Sequence, residues 1–294
     1  MGREHEELQR RVVHTGRQIV TIFQPAIPFV VQAAVSMGAY AGGLATAQAI
    51  GSALRISCGT PVFGPLGGLL GVGFASAMAG QATIKCQRVQ SDGLRRGLLD
   101  PGVLLRGQLR PEDLMADAVL GIAFFRVMGG KFRSVMPSDL TKVGAIAKES
   151  MPAAGMKYAT DEKRRELHRF FKRDGCHHCG TRKGAVVGDH MPPNKHVQEV
   201  LNANRRRLLG SALKYKIVQR SMAALGLPTG QPLQRYYPQC RPCSQKQAAA
   251  VRNGRSHLVF HEVLHRGGQS SAWHYAGVLV GMRHQNENKT NRKY

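Results

Sequence analysis

The sequence predicts an α+β protein in two parts: an N-terminal α-helical hairpin apolar enough to cross a membrane, and a C-terminal domain of short strands and helices built around cysteines. Three observations lead there. Between Arg17 and Lys85 the only charged residue is Arg55, which leaves uncharged blocks of 37 and 29 residues. Four of the six cysteines form two Cys-x-x-C pairs, Cys176/Cys179 and Cys240/Cys243. The net charge of +24 is uneven, with +6 in residues 1–150 and +18 in residues 151–294.

Taken in order, Met1 to Glu7 is charged in both senses, which predicts neither a secretory signal nor an import presequence. Gly2 is followed by Glu6 where a myristoylation motif needs Ser or Thr. A membrane-spanning helix takes about 20 mostly apolar residues. Pro25 and Pro28 confine the first such helix to residues 29–54, because proline is tolerated near a helix start. The second is expected over 62–84, with Arg55 to Pro61 as the turn between them. Gly38-x-x-x-Gly42 and Gly67-x-x-x-Gly71 put small residues on one face of each helix, as close helix pairs in lipid require. A buried hairpin in a soluble core is the alternative reading.

Arg10, Arg11, Arg17, Lys85, Arg88, Arg95 and Arg96 all flank the hairpin at one end. The positive-inside tendency then puts both termini on a reducing side of the membrane, which suits free thiols. The mitochondrial inner membrane facing the matrix fits, with the endoplasmic reticulum or nuclear envelope as alternatives. Residues 1–90 thus hold the amphipathic start and hairpin, and the membrane partner is read over residues 18–84.

Residues 91–160 read as a helical connector. Pro111-Glu-Asp starts a helix well and Gly129-Gly130 stops it near residue 127. Ser138 is expected to cap a second helix through residue 148. Residues 161–283 form the cysteine domain, with an insert at about 194–230, and 284–294 read as a polar, disordered tail.

Two Cys-x-x-C pairs in one reducing, basic domain point to one structural zinc ion in a four-thiolate shell: Cys176, Cys179, Cys240 and Cys243. His177 and His178, inside the first pair, are alternative ligands. Between the pairs, Ala185-Val-Val-Gly-Asp-His-Met-Pro-Pro193 reads as a short strand ending at Asp189-His190. Residues 162–173 read as a charged helix or strand lead-in, and 244–252 as a helix after the last cysteine.

These motifs resemble the HNH, or His-Me finger (ββα-metal), endonucleases, and most closely their zinc-stabilised treble-clef subtype, similar to phage endonuclease VII. The resemblance covers about residues 170–252. It implies that Asp189 binds a catalytic Mg²⁺ or Mn²⁺ and that His190 is the general base activating water against a phosphodiester. A hard cation takes carboxylate oxygen, and a neutral imidazole takes a proton near pH 7. Two departures stand out. Ser244 occupies the place where the family carries His or Asn as second metal ligand, leaving Gln245 or Gln247 as possible amide donors. The Asn that usually orients the base is not found in residues 232–240.

The insert is expected as two helices, 196–209 and 212–225, whose Arg205, Arg206, Arg207, Lys214, Lys216 and Arg220 offer a basic face to nucleic acid, DNA or RNA, or simply to solvent. Tyr236 and Tyr237 are candidates for base stacking or packing. His257, His261 and His265 share a face if residues 256–266 are helical, as a further metal site or as packing residues. Trp273 and Tyr275 are expected to close the cysteine domain's core. The expected function is a membrane-anchored, metal-dependent endonuclease. The alternative is a non-catalytic zinc module that binds nucleic acid or protein at a membrane.

Overall fold

The computed structural model describes residues 24–96, 110–153, 155–209, 216–218, 220, 221, 224, 233–261 and 271–290. Helix and short strand are mixed, as an α+β chain requires. In order the elements are α1 (Ile27–Ala53), α2 (Phe63–Arg96), α3 (Pro111–Val127), β1 (Ser138–Asp139), β2 (Met151–Pro152), α4 (Asp161–Asp174), β3 (Val186–Met191), α5 (Asn194–Leu209), β4 (Arg235–Cys240), α6 (Arg241–Arg252), β5 (Leu258–Val259) and α7 (Ala276–Thr290). They form two compact units.

The first unit runs to Leu44 and adds Val72–Gly129 and everything from Ala272 on. Its helices bury polar side chains beside large apolar ones such as Tyr40, Leu44 and Phe125, and expose other large apolar ones. Ser36, Ser76, Thr83, Asp117 and His284 are buried, whereas Val30, Phe74 and Val119 are 65%, 50% and 64% exposed. The buried polar groups are paired: Ser36 Oγ donates to the Gly277 carbonyl at 2.6 Å, and Asp117 meets Arg283 and His284 at 3.0 Å each. Several large apolar side chains thus face outward while polar ones share the core with Tyr40 and Phe125. Both α1 and the Phe63–Gln90 part of α2 are long and apolar enough to cross a bilayer.

Close helix approach occurs, but not at the expected motif on α1. A Cβ on Gly38 or Gly42 would meet open space, while one on Gly43 would lie 2.6 Å from Ala75 Cα. Trp273 packs edge-to-face on Phe125 of α3 in this unit, so it does not close the cysteine domain. The helix α7 continues through Thr290, over most of the stretch expected to be a disordered tail.

The second unit is Ala45–Gly71 with Gly130–Ser271. It therefore begins before residue 161 and includes the α1–α2 connection. There the Cys58 amide donates to the Pro137 carbonyl at 2.9 Å, and Gln48 and the His261 backbone bond each other. The sheets are antiparallel: β2–β4–β3 in three strands and β1–β5 in two. Leu167 and Phe171 of α4 bury against this framework with Tyr236, Leu140 and the cysteines.

Two expected helices are replaced. Residues 138–148 form β1 and turns because their side chains satisfy local backbone. Asp139 Oδ1 accepts from the Thr141 amide and hydroxyl, and Ser138 Oγ accepts from the Ala145 amide. Residues 258–259 pair with β1 instead of continuing a helix, so the three-histidine face does not form. His257 is exposed, His261 is buried with Nε2 at 3.1 Å from the Met136 carbonyl, and His265 lies outside the described residues.

Candidate metal centre

Thr160 caps α4, its hydroxyl accepting from the Lys163 amide, and the helix ends at Gly175, whose φ of 83° a side chain rarely tolerates. The chain then folds into a knuckle. The Cys176 carbonyl accepts from the Gly180 amide, and the His177 amide donates to the Pro238 carbonyl of β4 at 3.0 Å. On the other side β4 ends at Cys240, and α6 starts at Arg241 with Pro242 in its first turn, which places Cys243 there too.

The four cysteine sulfurs all lie within 4.8 Å of one another, with Cys179 and Cys240 at 3.6 Å. A tetrahedral zinc with Zn–S bonds of about 2.3 Å sets its sulfurs roughly 3.8 Å apart. The cluster can hold one such ion. The Cys176 thiol is pulled down to about 5, chiefly by its hydrogen bond with Cys179, while Cys243 is pushed up by its thiol neighbours. Cys240 is pulled down as well and Cys179 pushed up, so two thiolates are stabilised by the protons of the other two, the state a metal would replace.

Beside it lies a second cluster: His177, His178 and Asp189, all buried, with ligand atoms again within 4.8 Å. Strand alternation puts Asp189 on the face of β3 that carries its partner Tyr237, and His190 on the opposite face with Tyr236. Asp189 Oδ2 is 3.0 Å from His177 Nε2, 3.0 Å from Gln247 Nε2 and 3.9 Å from His178 Nε2. The Gly144 amide donates to His177 Nδ1 at 3.1 Å, so the proton of the neutral ring sits on Nε2 and is donated to Asp189. Burial holds His177 down at about 4, which keeps it neutral, and pushes Asp189 up to about 8. Gln247 Nε2 also donates to the Leu140 carbonyl at 2.7 Å. Its amide nitrogen, not its oxygen, therefore faces Asp189.

His190 Nε2 lies 3.0 Å from the Lys157 carbonyl. A carbonyl only accepts, so Nε2 carries the proton and Nδ1 keeps the lone pair of the neutral ring. The Tyr236 hydroxyl donates to the same carbonyl, and its ring stands edge-on to His190 at 4.7 Å. Sequence reasoning left the orienting group unassigned because backbone carbonyls have no signature. Gln247 was legible only as one of two candidates. Ser244 is half-buried and Gln245 exposed, and Gln247 is the one that reaches Asp189.

Arg205 and Arg206 are exposed on α5, and Lys216 and Arg220 are exposed in helical backbone. Lys214 lies outside the described residues, as does the Arg207 side chain. Compared with family models, curated proteins and solved structures, the chain matches none.

Proposed function

We propose that residues 130–271 form an HNH-like ββα zinc module that hydrolyses nucleic-acid phosphodiesters, tethered to a membrane by α1 and α2. The observation that carries this reading is the hydrogen bond between Asp189 on strand β3 and Gln247 on the helix that carries Cys243. A strand-borne carboxylate facing a helix beside a four-cysteine cluster is the arrangement the resemblance implies.

Each residue has a physical task. His190 takes a proton from water at Nδ1, its Nε2–H held by the Lys157 carbonyl. The hydroxide attacks phosphorus, the P–O bond to the leaving sugar breaks, and that oxygen takes a proton from solvent. Asp189 would hold a divalent ion, which supplies charge neutralisation on the phosphate. Arg205, Arg206, Lys216 and Arg220 supply exposed positive charge for the backbone. The membrane tether draws support from the exposed apolar and buried polar residues of the helical unit.

Plasmid nicking in Mg²⁺ or Mn²⁺ tests the reading. His190→Ala is expected to lower the rate at least a hundredfold with the fold intact, whereas equal nicking by both proteins removes His190 as the base. Two observations favour a second reading, a zinc module that binds without cleaving: Ser244 stands where a metal ligand is expected, and Asp189 is only 6% exposed. Salt-dependent binding of DNA or RNA with no cleavage in either metal is the result that reading requires.

A further inference from the structure

Where α1 ends, the second unit holds a cavity of about 760 Å³, within the roughly 300–1,000 Å³ of small-ligand sites. Ser52 and Arg55 line it from the end of α1 and the α1–α2 connection. Gly254, Arg255, Ser256 and His257 line it from the turn between α6 and β5. Every polar side chain in that set can donate a hydrogen bond, and none is acidic. Among the described residues, neither guanidinium has an ion-pair or hydrogen-bond partner. Arg55 also holds a φ of 55°, a left-handed conformation that side chains seldom adopt and that collects at ligand sites.

A basic residue just past a helix C-terminus ordinarily serves the free carbonyls of the last turn. Here other groups occupy them. The Ile56 amide donates to the Gly51 carbonyl and the Arg255 amide to that of Ala250. Lys195 Nζ donates to the Val251 and Arg252 carbonyls at 2.9 and 3.3 Å. Two full positive charges therefore remain for a ligand, and they outweigh the partial negative charge of two helix ends, about half a charge each.

We propose that this cavity binds the phosphate headgroup of an anionic phospholipid. A guanidinium fork pairs with phosphate oxygens two at a time, and His257 with the two serine hydroxyls supplies further donors. Two observations favour a lipid over free phosphate or nucleic acid. Leu54, Phe63 and Phe260, close in sequence to the lining residues, are exposed; acyl chains cover such side chains, and a bare phosphate or a nucleic-acid backbone does not. The cavity also stands at the end of a helix long enough to cross a bilayer, the level at which headgroups lie. The inference rests on membrane association, as in the proposed function, but on neither cleavage nor Asp189.

The test uses the full zinc-loaded chain in non-ionic detergent micelles carrying dioleoylphosphatidate, with dioleoylphosphatidylcholine as the zwitterionic control. Native mass spectrometry is expected to retain one phosphatidate per chain and no phosphatidylcholine. Arg55→Gln and Arg255→Gln are each expected to weaken retention about tenfold. Lys172→Gln, an equal loss of exposed charge on α4, is expected to leave it unchanged. Kept zinc certifies the fold of each variant. Equal retention of both lipids, an equal loss in Lys172→Gln, or full retention in Arg55→Gln and Arg255→Gln overturns the inference. Displacement of the lipid by equimolar inorganic phosphate gives the cavity to a free anion, and displacement by an equimolar DNA oligonucleotide gives it to nucleic acid; either result overturns the lipid site. A chain that resists carbonate extraction yet retains no phosphatidate refutes this site alone. One that is extracted yet retains phosphatidate through Arg55 and Arg255 refutes the membrane tether and leaves the site standing.

Discussion

Asp189 is held in tension between burial, which pushes its carboxyl up to about 8, and the Gln247 hydrogen bond, which pulls it down. A carboxyl whose folded pKa exceeds its unfolded value of 3.8 stabilises the fold fully below that value and loses the contribution as pH rises through 8. Zinc-loaded protein free of other divalent ions is therefore expected to lose about 2–3 kcal/mol of unfolding free energy between pH 6 and 8. Asp189→Asn should flatten that slope, as urea unfolding at the two pH values will show; an unchanged slope would falsify the assignment of this proton. Tyr236 offers a neighbouring check. Its hydroxyl and His190 share one carbonyl, so Tyr236→Phe is expected to cost about 1 kcal/mol in the same assay and to leave zinc content unchanged. Residue types were the most legible layer of this site, because thiolate, imidazole and carboxylate chemistry is carried by side chains that spacing can group. What spacing could not reveal was the Lys157 carbonyl, a backbone atom 33 residues from the histidine it orients.

At the scale of elements, the knuckle between Cys176 and Cys179 is fixed from outside by the loop after β1. The Ile146 amide donates to the His177 carbonyl at 3.1 Å, and a Cβ on Gly144 would overlap that same carbonyl, a backbone atom with little room to yield. Gly144→Ala is thus expected to cost on the order of 1–3 kcal/mol and to weaken zinc retention against a chelator at least severalfold. Wild-type retention in that variant would mean the loop does not press on the knuckle. The same loop shows where pattern reading stopped. Ser138 looked like a helix cap, and its hydroxyl does accept a backbone amide, but from Ala145, inside a turn structure, because Asp139 had already captured Thr141. Helices bounded by proline or glycine, α1 and α3, were expected close to their observed limits, α6 starts three residues before its expected position, and α4 had been open between helix and strand. Two-residue strands such as β1 and β5 exist only through pairing across more than a hundred residues, and local sequence carries no trace of that.

On the whole-molecule scale, charge alone put the cysteine-bearing domain with the chain termini, because Lys85 to Arg96 and the early arginines share one end of the hairpin. Packing argues otherwise. Residues 45–71 belong to the same compact unit as residues 130–271, and the Cys58 amide and Gly59 lie against Pro137 and Lys142. A hairpin that alone crosses a bilayer puts its connection and everything after α2 on opposite sides, so these contacts conflict with α1 and α2 as the sole crossings. The positive-inside tendency could not decide this, since Arg55 and the +18 of the second half are basic as well. The consequence can be measured with single introduced cysteines at two exposed positions, Leu54→Cys in the connection and Leu233→Cys beside β4. In sealed vesicles a membrane-impermeant maleimide is expected to label both or neither above the parent protein, and detergent is expected to equalise any protected pair. Labelling of one position and protection of the other would separate the connection from the module across the bilayer. Recovery of the protein in the soluble fraction after carbonate extraction would instead remove the bilayer, and the exposed Val30, Phe74 and Val119 would then need a protein partner to cover them.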